Sequence, residues 1–396
     1  LAPDVAVLMC ARALSGIGAA LVLPATLAVT LAQLEPGDRP RAVAAWSALT
    51  GIGGVLGNLG GGLAVQLGGW RALFWAGVPI ALGAGALIAA RVPAQRPHRD
   101  PVDSGGALLL TAASVALLYG IIDGPQLGWS SWQVLGALAG AGALFIGFTL
   151  YELRREHPML DPRLFRVNGV RTGSLGIVAL FFALFGLFYV NAQYLQDVKG
   201  YSALETGVAI LPLGAVMMIV SPRSPRLVAR IGARATIILG LLCLTVGLFC
   251  LSLETAGTPY LLYALMLCAV SAGMGLAMPP LSGMIVHAMP PSHAGVSSAL
   301  NSTTRELGSA IGVAVLSTLL TTRFASNLPL ALRTLPGAQG AVVRHSVTAA
   351  LHHAHGPALV AGVHAAFLSG TSLGLRVGAV LILATAGLVL RGRPTR

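Results

Sequence analysis

Three arginines, Arg12, Arg305 and Arg376, stand inside long apolar runs of this 396-residue chain. A charge within hydrocarbon costs a few kcal/mol or more, so each needs a wet cavity, a partner or a short route to the interface. Arg12 lies seven residues into its run, about 10 Å deep at the helical rise. It either faces a hydrated cavity or snorkels outward. Asn301, Arg305, Gly308 and Gly312 are spaced i, i+4, i+7, i+11 and share one helical face, polar and close-packed. The alternative is a wet helix end in which Arg305 pairs with Glu306. Arg376 reads as an interface anchor.

Other chemistry is thinner. All 13 acidic residues fall in loops or near the ends of apolar runs, Asp123 and Glu306 reaching furthest in. An acid titrating within the membrane is therefore expected only if one of these two is drawn inward. Five of the nine histidines, His345, His352, His353, His355 and His364, lie in or beside one long segment, without acidic or cysteine co-ligands at metal spacing. No metal site and no cofactor is expected. The sequence has no G-x-x-x-x-G-K-[ST] phosphate loop, no H-E-x-x-H and no serine-histidine-aspartate arrangement. The four cysteines sit in apolar runs and act as small hydrophobes.

The elements that must position these residues are membrane helices. Charged residues make up 10% of the chain and apolar ones 55%, against about a quarter and about half in soluble domains. Eleven apolar runs are each long enough to cross a bilayer: 5–31, 43–67, 72–90, 105–122, 132–151, 170–195, 203–220, 235–253, 260–286, 295–320 and 363–390. Seventeen of the 25 basic residues collect in alternate loops and at the C-terminus. By the positive-inside tendency those loops are cytoplasmic, the first residue is outside and the last inside, in the plasma (inner) membrane. The net charge of +12 thus reads as membrane-surface charge, with the lipid bilayer as a partner and no nucleic acid.

Within that frame Gly53, Gly57 and Gly61, with Gly54, Asn58 and Gly62, form two small-residue strips along the second run, a seam where another helix approaches closely. Pro279 and Pro280 predict a kink in the ninth run. The expected organisation is three spans over 1–90, a cytoplasmic linker over 91–104, a two-helix hairpin and loop over 105–169, and a six-helix bundle over 170–396. The long outer segment 321–361 is expected to fold partly as a surface helix.

Several stretches then resemble the major facilitator superfamily, and within it the fourteen-helix drug:proton antiporters. Arg12-Ala-Leu-Ser-Gly16-Ile-Gly18 resembles the fourth-helix motif, with Ser15 where glutamine is usual. Gly57-Asn58-Leu-Gly-Gly61-Gly62 resembles the fifth-helix antiporter motif, with Asn58 in place of proline. Gly69-Trp-Arg-Ala-Leu-Phe74 through Val78-Pro79 is similar to the start of the sixth helix. Tyr194-Leu-Gln-Asp-Val-Lys-Gly200-Tyr-Ser202 through Leu211-Pro212 is the most specific stretch. Arg226-Leu-Val-Ala-Arg230-Ile-Gly232-Ala-Arg234 is similar to the second copy of the cytoplasmic loop motif, with Ala229 where aspartate is common. Asn301 through Gly312 resembles the thirteenth helix, with Glu306 where glutamine is usual.

The resemblance implies an all-α major facilitator fold equivalent to helices four to fourteen, an N-terminal truncation lacking the first-helix aspartate credited with proton coupling. It implies secondary active export of a small hydrophobic or cationic compound in exchange for protons, by a monomer and not an enzyme. Arg12, Asn301 and Arg305 would line the cavity and proton path, Gly53, Gly57, Asn58, Gly61 and Gly62 the moving seam, and Arg226, Arg230, Gly232 and Arg234 the cytoplasmic gate. The alternatives are a membrane enzyme acting on lipid-linked substrates at the outer histidines, and a fragment without activity.

Overall fold

The computed structural model describes residues 4–35, 37–91, 103–156, 158–289 and 294–391. Most of the expected linker 91–104 lies outside them. The described residues form α1 (Val5–Ala32), α2 (Arg39–Arg91), α3 (Ser104–Leu127), α4 (Trp132–Leu153), α5 (Asn168–Gln193), α6 (Ala203–Ala209), α7 (Leu211–Val220), α8 (Ser224–Ile231), α9 (Ala233–Leu251), α10 (Tyr260–His287), α11 (Ala294–Asn327), α12 (Leu330–Arg333), α13 (Gly337–His345), α14 (Val347–His353) and α15 (Pro357–Arg391). In hydrocarbon only a helix satisfies its own backbone, and the apolar runs take that form.

Among the described residues ten stretches are long and apolar enough to cross a membrane, one of them the 40-residue Ile52–Arg91. Straight, it would be about 60 Å long, twice the hydrocarbon thickness. It is not straight: Gly69 leaves the helical region (φ 70, ψ −174), a left-handed conformation open to glycine. A Cβ on Gly61 would lie 3.3 Å from Leu73 Cδ1, although twelve residues of continuous helix span about 18 Å. The chain doubles back at Gly69, and the two arms of α2 account for the second and third of the eleven runs.

Local chemistry sets the other boundaries. Asp103 and Ser131 cap α3 and α4 through the amides of Gly106 and Val134. After a π-helical turn at Tyr194–Val198, Gly200 at φ 72 reverses the chain and Ser202 with Glu205 closes a capping box on α6. Ile210 separates α6 from α7, and Ser221–Arg223 leads into the short amphipathic α8, which stops at Gly232 (φ 85). The expected kink site in α10 is helical on both sides of Pro279 and Pro280.

Backbone contact at glycines holds the bundle formed by α5 to α11 and α15. A Cβ on Gly308 would meet Val178 O at 2.5 Å and one on Gly312 Phe182 O at 2.3 Å, while Gly186 faces Leu316. Those pairs advance together, so α5 and α11 run parallel and in register. Gly240 and Gly273 bring α9 and α10 equally close, and Gly370 seats α15 against Leu320. Without a hydrophobic drive in lipid, this close approach is what packs the helices. The hairpin α3–α4 lies against α11, where Thr318 Oγ1 donates to Ile121 O at 2.9 Å.

The segment 321–361 is the end of α11, the three short helices α12, α13 and α14, and the start of α15. Leu332, Val343, Val347 and Ala350 are buried in the main core. The segment is partly helical, and its short helices pack their apolar residues on the core while their other faces are exposed. Arg376 is level with the C-terminal end of α9, its Nε donating to Ser252 Oγ at 3.3 Å.

Candidate transport cavity

α11 carries a buried arginine, Arg305. Its close approach to α5 at Gly308 and Gly312 fixes the face on which Asn301 and Arg305 lie one turn apart, and both are buried. The Arg305 guanidinium is sandwiched, 4.6 Å from the Phe181 ring centroid on α5 and 4.8 Å from Trp46 on α2. Trp46 is held by Nε1 donating to Thr26 Oγ1 on α1 at 3.2 Å. Arg305 Nε and Nη1 have no hydrogen-bond partner, nor do both polar atoms of the Asn301 amide or the Ser302 hydroxyl. Two aromatic faces return about 2 kcal/mol each when desolvated, against a penalty of several kcal/mol for an unpaired buried ion.

The expected alternative, Arg305 paired to Glu306, does not occur. Among the described residues the one ion pair is Arg41–Asp38, at 3.6 Å. Successive helix positions point about 100° apart, so Arg305 turns toward α2 and α5 while exposed Glu306 turns toward α1 and α3.

Arg305 forms one wall of a cavity of about 80 Å³ lined by Phe181, Leu184, Phe185, Phe188, Leu213, Met217, Ser271, Met274, Met278 and Gly54. Phe181, Phe185 and Phe188 recur at i, i+4, i+7 on α5, with ring centroids 6.0 Å apart in each successive pair. Sequence reasoning missed this aromatic stripe, although its spacing is plain in the chain. The Met side chains supply adaptable apolar surface. Beside it, Gly53, Gly54 and Gly57 face open space, with nothing within 4 Å of an added Cβ.

A second cavity, of about 500 Å³, lies between α1, α3 and α11, lined by Gly16, Ala19, Ala20, Thr111, Ser114, Ser302 and Glu306 among others. Glu306 is the ionisable side chain on its wall. It sits ten residues from the start of the candidate spanning stretch Val296–Asn327, with its side chain exposed.

The remaining candidates are placed as follows. Arg12 is exposed on α1, 6.0 Å from the Phe74 ring in the second arm of α2, and is not brought to Asn301 and Arg305. In the seam Gly62 does the packing, its Cβ position 2.4 Å from Ala203 O, and Gly207 answers against Asn58 O and Leu59. Gly61 meets Leu73 of the same hairpin, and Asn58 Nδ2 donates to Gly54 O at 2.9 Å. Arg226, Arg230 and Arg234 are exposed around the break at Gly232. They flank a third cavity, of about 480 Å³, bordered by Val43, Pro225, Val228, Pro279, Met284 and His287. Ser221 Oγ donates to Ala44 O at 3.1 Å there, tying α2 to the bundle.

Comparison with known proteins agrees with this architecture. The chain is similar to Multidrug resistance protein Stp of Mycobacterium tuberculosis, 37% identical over 325 residues that cover 81% of this chain and 60% of Stp. It is similar to the Tetracenomycin C resistance and export protein of Streptomyces glaucescens, 31% identical over 405 residues covering 98% of this chain and 74% of that protein. It is also similar to Puromycin resistance protein pur8 of Streptomyces alboniger, 34% identical, with coverage of 81% and 65%. The chain therefore spans about three-fifths of the length of Stp. Residues 1–313 match the Major Facilitator Superfamily, and every residue lining the Arg305 cavity falls inside that stretch. An all-α membrane protein with this cavity and this match is a member of the Major Facilitator Superfamily.

Proposed function

We propose that the protein exports small hydrophobic compounds across the plasma membrane in exchange for protons. The observation that carries this reading is the Phe- and Met-lined cavity between the first arm of α2 and the bundle, in a chain whose relatives bear the names of drug-resistance and export proteins. Cavities between two bundles that rock about a fixed site are how such carriers give alternating access. The end bearing α8 and its arginines is cytoplasmic and the cap α12–α14 is outside, following the basic-residue bias.

Glu306 is assigned to proton exchange, since it is the acid on the α1–α3–α11 cavity wall, and Arg12 to the path that feeds it. Gly62 and Gly207 form the seam that opens, and Arg226, Arg230 and Arg234 border the inner gate. The protein acts as a monomer and uses no cofactor.

The test is efflux of Nile red from cells expressing this chain. The reading expects lower steady-state dye than in control cells, restored by a protonophore, and a Glu306→Gln variant that has lost the protonophore effect. Equal accumulation with and without the chain overturns export, and efflux indifferent to the protonophore overturns proton exchange.

A further inference from the structure

Arg305 is a buried cation on a cavity wall, with two guanidinium nitrogens lacking a hydrogen-bond partner. We infer that the Arg305 cavity binds the anionic group of a small aromatic acid, with the guanidinium as counter-ion and the Phe185 and Phe188 rings of the cavity wall packing against the ligand's ring. This rests on the export reading and narrows it to a substrate class.

Three observations support it. Arg305 is 5% exposed, and two of its nitrogens find no acceptor within the protein. One turn earlier on the same face, Asn301 is wholly buried with its amide donor and acceptor both unused. A bidentate acceptor, as a carboxylate is, matches the guanidinium fork in a way that water or a neutral carbonyl does not. Among the described residues the cavity wall holds no acid, so a cationic ligand would meet the buried charge of Arg305 with no carboxylate in the cavity to pair with. The cationic half of the expected substrate range therefore has no partner here.

Size agrees with a head group and part of a ring. The 80 Å³ is below the range of a drug-sized pocket, and the remainder of a ligand would run along the open glycine face at Gly53 and Gly57.

Calorimetric titration of the purified chain in phosphatidylcholine nanodiscs, referenced to empty discs, tests the idea with three isosteric probes: 2-naphthoate, 2-naphthamide and 2-naphthylmethylammonium. Naphthoate is expected to bind at least tenfold tighter than the amide, and the ammonium not measurably. Arg305→Gln should erase that order, Arg305→Lys keep it at lower affinity, and Asn301→Ala weaken naphthoate severalfold. Absence of naphthoate binding, ammonium binding as tight as naphthoate, or naphthoate binding unchanged by Arg305→Gln would each overturn the inference. The probe series on the unaltered chain decides even if a variant fails to fold. Loss of naphthoate binding in discs of phosphatidylglycerol would identify a lipid head group as the occupant and overturn it too. A chain that passes these titrations but fails the dye assay refutes export alone; one that exports Nile red but fails them refutes this inference alone.

Discussion

At the scale of single residues, Arg305 is costly to hold. A protein retains an unpaired buried cation for what it binds and not for stability, because breaking or lacking a buried pair is unfavourable. Arg305→Met keeps the length and apolar contacts while removing the charge, and is expected to stabilise the chain by about 1–3 kcal/mol, read as a rise of a few degrees in Tm in detergent. A fall in Tm would mean that the stacked guanidinium is itself structural. Glu254 presents the opposite case, in the loop between α9 and α10. Burial pushes its carboxyl up to about 8 from 4.5, with Lys199 opposing. Lys199 is held there by donating to Ala256 O at 2.8 Å and Thr258 O at 2.5 Å. The folded state keeps a proton that the unfolded chain has released, so stability is full below about pH 4.5 and declines as pH rises through about 8. Melting temperatures of the wild type should fall across that window, and Glu254→Gln should flatten the profile; parallel profiles would show that Glu254 is ionised when folded.

At the scale of elements, α11 carries both of the proposed sites. Arg305 and Glu306 are consecutive but serve different cavities, one against α2 and α5 and the other against α1 and α3. A ligand at one site and a proton at the other would both bias the position of one rod, which is a physical basis for exchange. The seam beside it has shifted one turn along the helix from its expected centre: Gly57 faces open space and Gly62 meets the backbone of Ala203. Gly62→Leu is therefore expected to separate α2 from α6 and cost about 1–3 kcal/mol by overpacking, whereas Gly57→Leu should leave stability within about 0.5 kcal/mol of wild type. Thermal melts of the two variants side by side decide this, and equal losses would remove the seam.

For the whole molecule, the proposed orientation makes a direct prediction. In a background without the four native cysteines, Ala229→Cys in α8 should react only with thiol reagents admitted to the cytoplasm, and Val342→Cys in α13 with reagents confined outside; the reverse pattern would invert the topology. The long apolar helices were legible in sequence because each depends on a local property, the length of an apolar run; their direction rests on the charge at the run ends alone. The hairpin at Gly69 was legible for the same reason, as was the polar face of Asn301 and Arg305, since helical spacing alone places them together. What the sequence left open was every relation between helices. That Arg305 turns to Trp46 and Phe181 and not to its neighbour Glu306, that Gly62 and not Gly57 carries the seam, that Arg12 stands apart, and that the short helices of 321–361 pack on the core were decided by tertiary structure. Those outcomes depend on how rods of similar greasiness rotate and slide until small residues meet backbone, a condition set by partners far away in the chain and therefore invisible in any local pattern.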